Sequence, residues 1–323
     1  MTNIIDFLQI EHIPYTENVD LKSKTWIKRG GIARLWVQPI KLSDLETLVS
    51  WCQLNQIAFE IIGNTSNCYF LNDYNPEVVI STLKINQMHI AANEITCDCG
   101  YNMTKLTKYC ISHGIANFEG FIGLPGTVGG ATINNSGSYG SVISKVVKNV
   151  TLLQNGQKVL LANEQIKYSH RNSALKSKEI SGVILSVTFD ISQKEDPLVL
   201  EKSAQEFQMH RRTIQEQIYP NLGTTFCTLE FKKLSFIPKC INSIAQRLLN
   251  KITISPIKKH KLRTRLQLSL YRAGNFRKYI SDSHIACFTW KDAGADSKFN
   301  DYIDFINKNT TKAVIEIDIK RKK

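Results

Sequence analysis

The chain has 323 residues, 42% apolar and 21% charged, with 17 glycines and 8 prolines. That composition excludes a disordered, collagenous or small stapled protein and leaves room for two domains. Its 41 lysines and arginines against 28 acids give a net charge of +13, a field that attracts nucleic acid, acidic membrane or phosphorylated small molecules alike.

No stretch approaches the roughly 18 consecutive apolar residues of a membrane span. The N-terminal MTNIIDFLQIEHIPYTE lacks the basic start and small-residue cleavage site of a signal peptide. Eight cysteines, at 52, 68, 97, 99, 110, 227, 240 and 287, stand in no C-x-x-C zinc spacing. The expectation is a cytoplasmic protein with free thiols, no metal and no membrane partner. The basic run KKHKLRTR at 258–265 and the terminal KRKK read as a solvated helix face and a tail. No zinc-finger spacing or RNP-like string accompanies them, so nucleic acid is not expected.

In chain order, ARLWVQP (33–39) is strand-like, SDLETLVSWCQLNQ (43–56) is helical with Ser43 as its N-cap, and FEIIG (59–63) is a second strand. Two short strands around HIAANEITCDCG (89–100) precede a helix, MTKLTKYCISHG, closed by Gly114. Strands return in KNVTLLQ, QKVLLA and GVILSVTFDI between 148 and 191. A charged helix over 199–217 ends at Tyr219-Pro220, and AVIEIDI (313–319) is the final strand. The class is α+β, with a domain boundary near 195.

Two glycine-rich segments carry the chemistry, because backbone without Cβ atoms approaches a phosphate or flat ring with its N–H groups bare. In IIGNTSN, Gly63 permits the turn while Asn64, Thr65, Ser66 and Asn67 supply short donors and acceptors; Asx and ST turns use the same residues. The stretch 118–140 holds seven of the seventeen glycines, and in GLPGTVGGATINNSGSYG a helix-like segment opens at Gly126, Thr127, Gly129 and Gly130, with Asn134 and Asn135 following. Neither segment is a G-x-G-x-x-G fingerprint or a G-x-x-x-x-G-K-[ST] loop.

TWIKRGG (25–31), GNTSN (63–67), GLPGTVGGATINNSGSYG (123–140) and YSHRNS (168–173), in this order, resemble the flavoprotein UDP-N-acetylenolpyruvoylglucosamine reductases over about residues 20–226. The resemblance implies a two-lobed FAD-binding unit of the vanillyl-alcohol-oxidase (PCMH) type over 1–195, with lobes at about 1–85 and 86–195. A smaller α+β substrate domain follows over 196–323. It implies FAD, with NADPH as co-substrate, and a nucleotide-sugar partner whose enolpyruvyl ether becomes a lactyl ether, in cell-wall synthesis or in a paralogous surface-polysaccharide step. A flavin or nucleotide-sugar binding protein without turnover is the alternative, and a basic nucleic-acid-binding protein a more distant one.

By the same resemblance the flavin side comprises Gly63, Asn64, Thr65, Ser66, Asn67, Gly126, Thr127, Gly129, Gly130, Asn134 and Ile184. The reaction needs a cation where charge develops on the substrate carboxylate, and an acid to protonate the adjacent carbon. Arg171 matches the family arginine. Thr224, in NLGTTF, stands at the serine proton donor, with Thr225 beside it as a substitute; Asp318 stands at the family glutamate, preceded by Glu316 on the same expected strand face. His170 replaces a family tyrosine, and Cys227, Thr228 and Leu229 replace Lys-Asn-Pro.

Overall fold

In a computed structural model, residues 3–233, 236–274 and 276–322 are described, the side chains of Phe236 and Ile237 excepted. Lys323 of the basic tail lies outside them. Helix α1 (Ile4–Ile10) precedes β1 (Tyr15–Asp20) and β2 (Ile32–Val37); α2 (Leu42–Leu54), β3 (Phe59–Ile62), β4 (Cys68–Phe70) and β5 (Val78–Ser81) follow. The first sheet has the order β1-β2-β5-β3, antiparallel at β1 and parallel elsewhere. Strand β5, VVIS, is buried at all four positions, as a central parallel strand covered on both faces must be. Ser43 is not the cap of α2: the helix begins at Leu42, and the Asp44 carboxylate accepts from the Lys41 N–H at 3.0 Å, an acid satisfying the first turn.

Next come β6 (Met88–Ala91), β7 (Glu94–Asp98), α3 (Met103–Ser112), α4 (Val128–Ile133), the short β8 (Gly137–Ser138) and β9 (Ser141–Val142), α5 (Ile143–Val146), β10 (Val147–Gln154), β11 (Gln157–Ala162) and β12 (Val183–Asp190). Five of these strands make an antiparallel sheet, β11-β10-β12-β7-β6. One apolar core runs through both lobes, from Leu35, Val78 and Ile80 across Met103 and Leu106 to Val150 and Val187. The lobes are thereby fixed against each other, and the two glycine-rich segments meet between them.

The remainder comprises α6 (Pro197–Ile214), β13 (Phe226–Phe231), α7 (Phe236–Lys251), α8 (Pro256–Leu270), α9 (Ala295–Asn309), β14 (Thr310–Ile315) and β15 (Asp318–Lys320). Its core is aromatic: Phe288, Trp290, Phe299 and Tyr302 pack at centroid distances between 5.1 and 6.3 Å. Ile27 and Tyr69, from the first lobe, belong to this core. Asp296 holds the junction, its Oδ1 accepting from Tyr69 Oη at 2.8 Å and Trp290 Nε1 at 3.1 Å, its Oδ2 accepting from Asn72 Nδ2 at 2.8 Å and lying 3.0 Å from Arg29 Nε.

The expected single strand AVIEIDI is two strands in two sheets. Strand β14 pairs antiparallel with β13, the chain breaks at Glu316 and Ile317, and β15 pairs in parallel with β4 of the first lobe. Ile317 is buried at the break, which the alternation read in sequence hides. No helix among the described residues is long and apolar enough to cross a membrane.

Candidate active site

The glycine segments are fitted to each other before any ligand arrives. A Cβ on Gly63 would stand 2.4 Å from Thr127 Oγ1, so only glycine lets the first loop touch the second. Gly126 has φ +124° and faces Ser66, whose hydroxyl donates to the Pro125 carbonyl at 3.2 Å. Thr127 caps α4, accepting from the Gly130 N–H at 3.3 Å. Gly129 is buried with its N–H on the Cys99 carbonyl at 2.8 Å, and Gly130 is exposed. Asn64 and Thr127 line a cavity of about 280 Å³ together with Gly100, Tyr101, Asn102 and Lys105.

Some of the expected cofactor residues have side chains engaged within the protein. Thr65 is buried at φ +53°, and its hydroxyl accepts from the Trp26 N–H at 2.8 Å, tying the TWIKRGG loop to the first lobe. Asn134 folds back on α4, its Nδ2 donating to the Gly130 carbonyl at 2.9 Å. Ile184 packs in the core opposite Leu152 and does not line the cavity, because its position on β12 points its side chain to the buried face.

Three distant segments bring the candidate catalytic groups together. Arg171 sits in a tight turn at φ +55°, a left-handed conformation that costs on the order of 1–3 kcal/mol outside glycine. The turn is held by paired backbone bonds between Ser169 and Asn172 (3.0 and 3.1 Å), by Asn135 Nδ2 donating to the Ser169 carbonyl (2.8 Å) and by Ser173 Oγ donating to the Ile133 carbonyl (2.7 Å). From it, Arg171 Nε reaches Oε1 of Glu316 at 3.3 Å, while Thr224 Oγ1 donates to Oε2 at 3.0 Å. One carboxylate thus orients a guanidinium and a hydroxyl.

The backbone of Glu316 is held from every side. Its N–H donates to the Thr225 carbonyl at 2.8 Å; its carbonyl accepts from Asn67 Nδ2 at 3.2 Å and from Lys176 Nζ at 3.1 Å. Lys176 Nζ donates also to the Arg171 carbonyl at 3.1 Å, so one ammonium clamps both sides of the ion pair. Burial lowers the pKa of Lys176 below the ordinary lysine value, opposed in part by the nearby Glu316 carboxylate. A second guanidinium, Arg211, lies over the Tyr139 ring at 5.3 Å and donates to Ser138 Oγ at 2.7 Å.

Asp318 is not in this cluster. Its carboxylate is half-exposed and 2.9 Å from Lys320 Nζ, which also meets Glu60 at 2.7 Å. Burial alone would lower the Lys320 pKa, but the two carboxylates outweigh it and raise it. The strand break is the physical reason: with β15 recruited to β4, the carboxylate that reaches Arg171 and Thr224 is Glu316, the other acid of the pair.

A sequence profile described as an FAD binding domain matches residues 33–161. The UDP-N-acetylenolpyruvoylglucosamine reductase of Caldicellulosiruptor bescii is 31% identical over 223 residues, 68% of this chain and 70% of its own length. That of Bacillus pumilus is 32% identical over 213 residues, 65% of this chain and 69% of its own. The chain belongs to the UDP-N-acetylenolpyruvoylglucosamine reductase family. The solved UDP-N-acetylenolpyruvylglucosamine reductase of Thermus caldophilus shares the fold with a TM-score of 0.66 at 15% identity, over 96% of this chain and 99% of that one. The shared fold therefore extends through the C-terminal part of the chain, beyond the two thirds that align in sequence with the two relatives above.

Within this reductase-family site, the two threonines of NLGTTF separate cleanly. Thr224 is half-buried and aimed at Glu316, whereas Thr225 is buried, with its N–H on the Ala286 carbonyl at 2.7 Å and its carbonyl on Glu316. His170 is exposed, its ring Nε2 3.4 Å from the Cys227 carbonyl. Sequence reasoning missed Lys176, which stands five residues after Arg171 in YSHRNSALK. Only that spacing within an otherwise polar and apolar mixture could have flagged it.

Proposed function

We propose that this family member reduces the enolpyruvyl ether of a UDP-sugar to a lactyl ether, with FAD resident between the lobes and NADPH as electron source. The observation that carries the reading is the convergence of Arg171, Thr224 and Glu316 from three segments onto one carboxylate. When bound, the flavin carries reducing equivalents from NADPH to the enolpyruvyl group. The residues present fit it: the Gly63–Thr127 contact leaves a cleft of donors from both lobes, with Lys105 suited to a diphosphate and Tyr101 to a flat ring. Asn64, Thr127 and Gly130 would hold it, alongside the backbone of Gly126, while Gly129 lets α4 pack against Cys99. The flavin unit is assigned to 1–195, with lobes at about 1–85 and 86–195, and the substrate domain to 196–323. The two sheets support that division, and among the described residues β15 is the strand after 195 that returns to pair with the first lobe.

The chain's own residues supply binding and proton chemistry. Among the described residues the terminal nitrogens of Arg171 make no hydrogen bond, since its contact with Glu316 uses Nε. They are placed to receive the substrate carboxylate as negative charge builds there, a preorganised cation that needs no rearrangement during the reaction. Of the three groups only Thr224 carries an O–H, so it delivers the proton to the carbon beside the ether oxygen. Glu316 keeps both partners in register, and Lys176 and Asn67 keep Glu316 in place.

The test is an absorbance spectrum of the purified protein, then anaerobic reduction with NADPH and reoxidation by the enolpyruvyl ether of UDP-N-acetylglucosamine. Bound flavin, reduced by NADPH and reoxidised by that sugar, is the expected result. A protein without flavin that takes none up on reconstitution, or reduced flavin untouched by the sugar, refutes the proposal.

A further inference from the structure

The helical hairpin α7–α8 carries a surface that the reaction above does not use. Residues 231–281 contain thirteen lysines and arginines and no aspartate or glutamate. That equals the entire net charge of the chain; outside this segment cations and acids balance at 28 each. The excess is therefore concentrated in this segment, and eight of its thirteen cations stand on α7 and α8, Arg265 among them paired with Asp282 just beyond.

The same element exposes an apolar stripe. Ile241, Ile244 and Leu248 of α7, and Ile252 just past its end, follow at intervals of three, four and four, one face of a helix. They are between 46% and 59% exposed. No described side chain of α7 is buried; Ala245 and Leu249 lie on the less exposed flank, and Arg263 of α8 ties the hairpin together through Asn250 Oδ1 at 2.7 Å. Arg247 and Lys251 lie along the stripe on its other edge, and Lys258 and Arg263 of α8 are exposed beside it. Ile257 and Leu262 of α8 are exposed as well.

We propose that the α7–α8 hairpin is an interfacial element that seats the protein on an anionic phospholipid surface. Charge complementarity selects an anionic partner, and the stripe selects which one. A nucleic-acid backbone offers phosphates but no place for four half-exposed aliphatic side chains. A phospholipid surface offers both, taking apolar residues into the boundary below its headgroups while the flanking cations meet the phosphates. The surface belongs to the lying class of membrane association, consistent with a chain in which no described helix spans a bilayer.

The experiment is flotation of the full-length, flavin-loaded protein with vesicles of phosphatidylcholine mixed with phosphatidylglycerol, against vesicles of phosphatidylcholine alone. Binding to the mixed vesicles only, weakening as salt shortens the Debye length, is expected. Arg247→Ala and Lys251→Ala should each lower partitioning by about fivefold, and Leu248→Ser by about tenfold, with the flavin spectrum unchanged because α7 is remote from the glycine segments in sequence and buries no described side chain. Equal binding to both vesicle types, or none, overturns the proposal. So does tight binding of duplex DNA that Leu248→Ser leaves intact, which would make the stripe irrelevant, or a salt-resistant dimer that Leu248→Ser dissociates, which would make a second copy the occupant.

Discussion

The assignment of Glu316 over Asp318 is decided by two conservative amide substitutions. Glu316→Gln removes the charge that faces Arg171 Nε at 3.3 Å and leaves one amide oxygen where the carboxylate offers separate oxygens to Arg171 and, at 3.0 Å, to Thr224 Oγ1. At an effective dielectric of about 20, two unit charges at that separation attract by roughly 5 kcal/mol, a gross figure reduced by the desolvation of the largely buried pair and by water screening of what stays exposed. The loss felt by the reaction is that of a preorganised charge arrangement, about 10²–10³-fold in rate, or roughly 2.7–4 kcal/mol. Asp318→Asn, in contrast, leaves Lys320 with Glu60 at 2.7 Å, so its effect should stay within about threefold, the scale of a half-exposed ion pair. Stopped-flow, anaerobic reoxidation of the reduced flavin by the enolpyruvyl sugar isolates the step, and reduction by NADPH serves as the internal control. Fast reoxidation in Glu316→Gln together with a collapse in Asp318→Asn would refute the geometric argument.

Other expectations follow from single groups. Thr224→Ser should retain turnover and Thr224→Ala should lose about 10²-fold or more in the substrate half-reaction; an alanine variant at full rate would transfer proton delivery to a water. His284 is half-buried beside His260, and desolvation first, then that neighbour, lowers its pKa below the ordinary histidine value of 6.5. Its folded state resists protonation while the unfolded chain accepts it, so stability is intact above pH 6.5 and declines as pH falls toward the depressed folded value. Urea midpoints measured over that window should fall less steeply in His284→Asn, and an unchanged slope would count against the assignment. Burial pushes the thiols of Cys52, Cys97, Cys99 and Cys287 up to about 12, leaving them almost wholly protonated at neutral pH. Iodoacetamide under native conditions should therefore label exposed Cys240 long before these four, read by peptide mass spectrometry.

The sequence made some parts of this architecture plain and concealed others, for reasons visible in particular residues. Alternation in KNVTLLQ and QKVLLA marks β10 and β11 because one face of their antiparallel sheet is buried and the other is not. The glycine density of 118–140 identified a place of close backbone approach, but it could not say that Gly63 approaches Thr127 or that Thr65 is spent on Trp26. Those are contacts between segments, and residue type sets only the capacity for them. The expected N-cap at Ser43 failed for the same reason in miniature: Asp44, one residue later, satisfied the helix start from inside the first turn.

AVIEIDI shows where local reasoning ends. Period-two alternation places Glu316 and Asp318 on one face as long as the strand is continuous. Continuity was lost because two sheets compete for this segment: β13 takes it up to Ile315 and β4 takes it from Asp318. The two residues between them carry the consequence, Ile317 filling the aromatic core and Glu316 pointing back across the junction to Arg171 and Thr224. A residue freed from both ladders is also one whose backbone groups need other partners, and Asn67, Lys176 and Thr225 provide them. The break in the strand and the clamp around it are thus one feature: the chain leaves the sheet at the point where a carboxylate must be aimed, and the polar groups released there are what hold it on target.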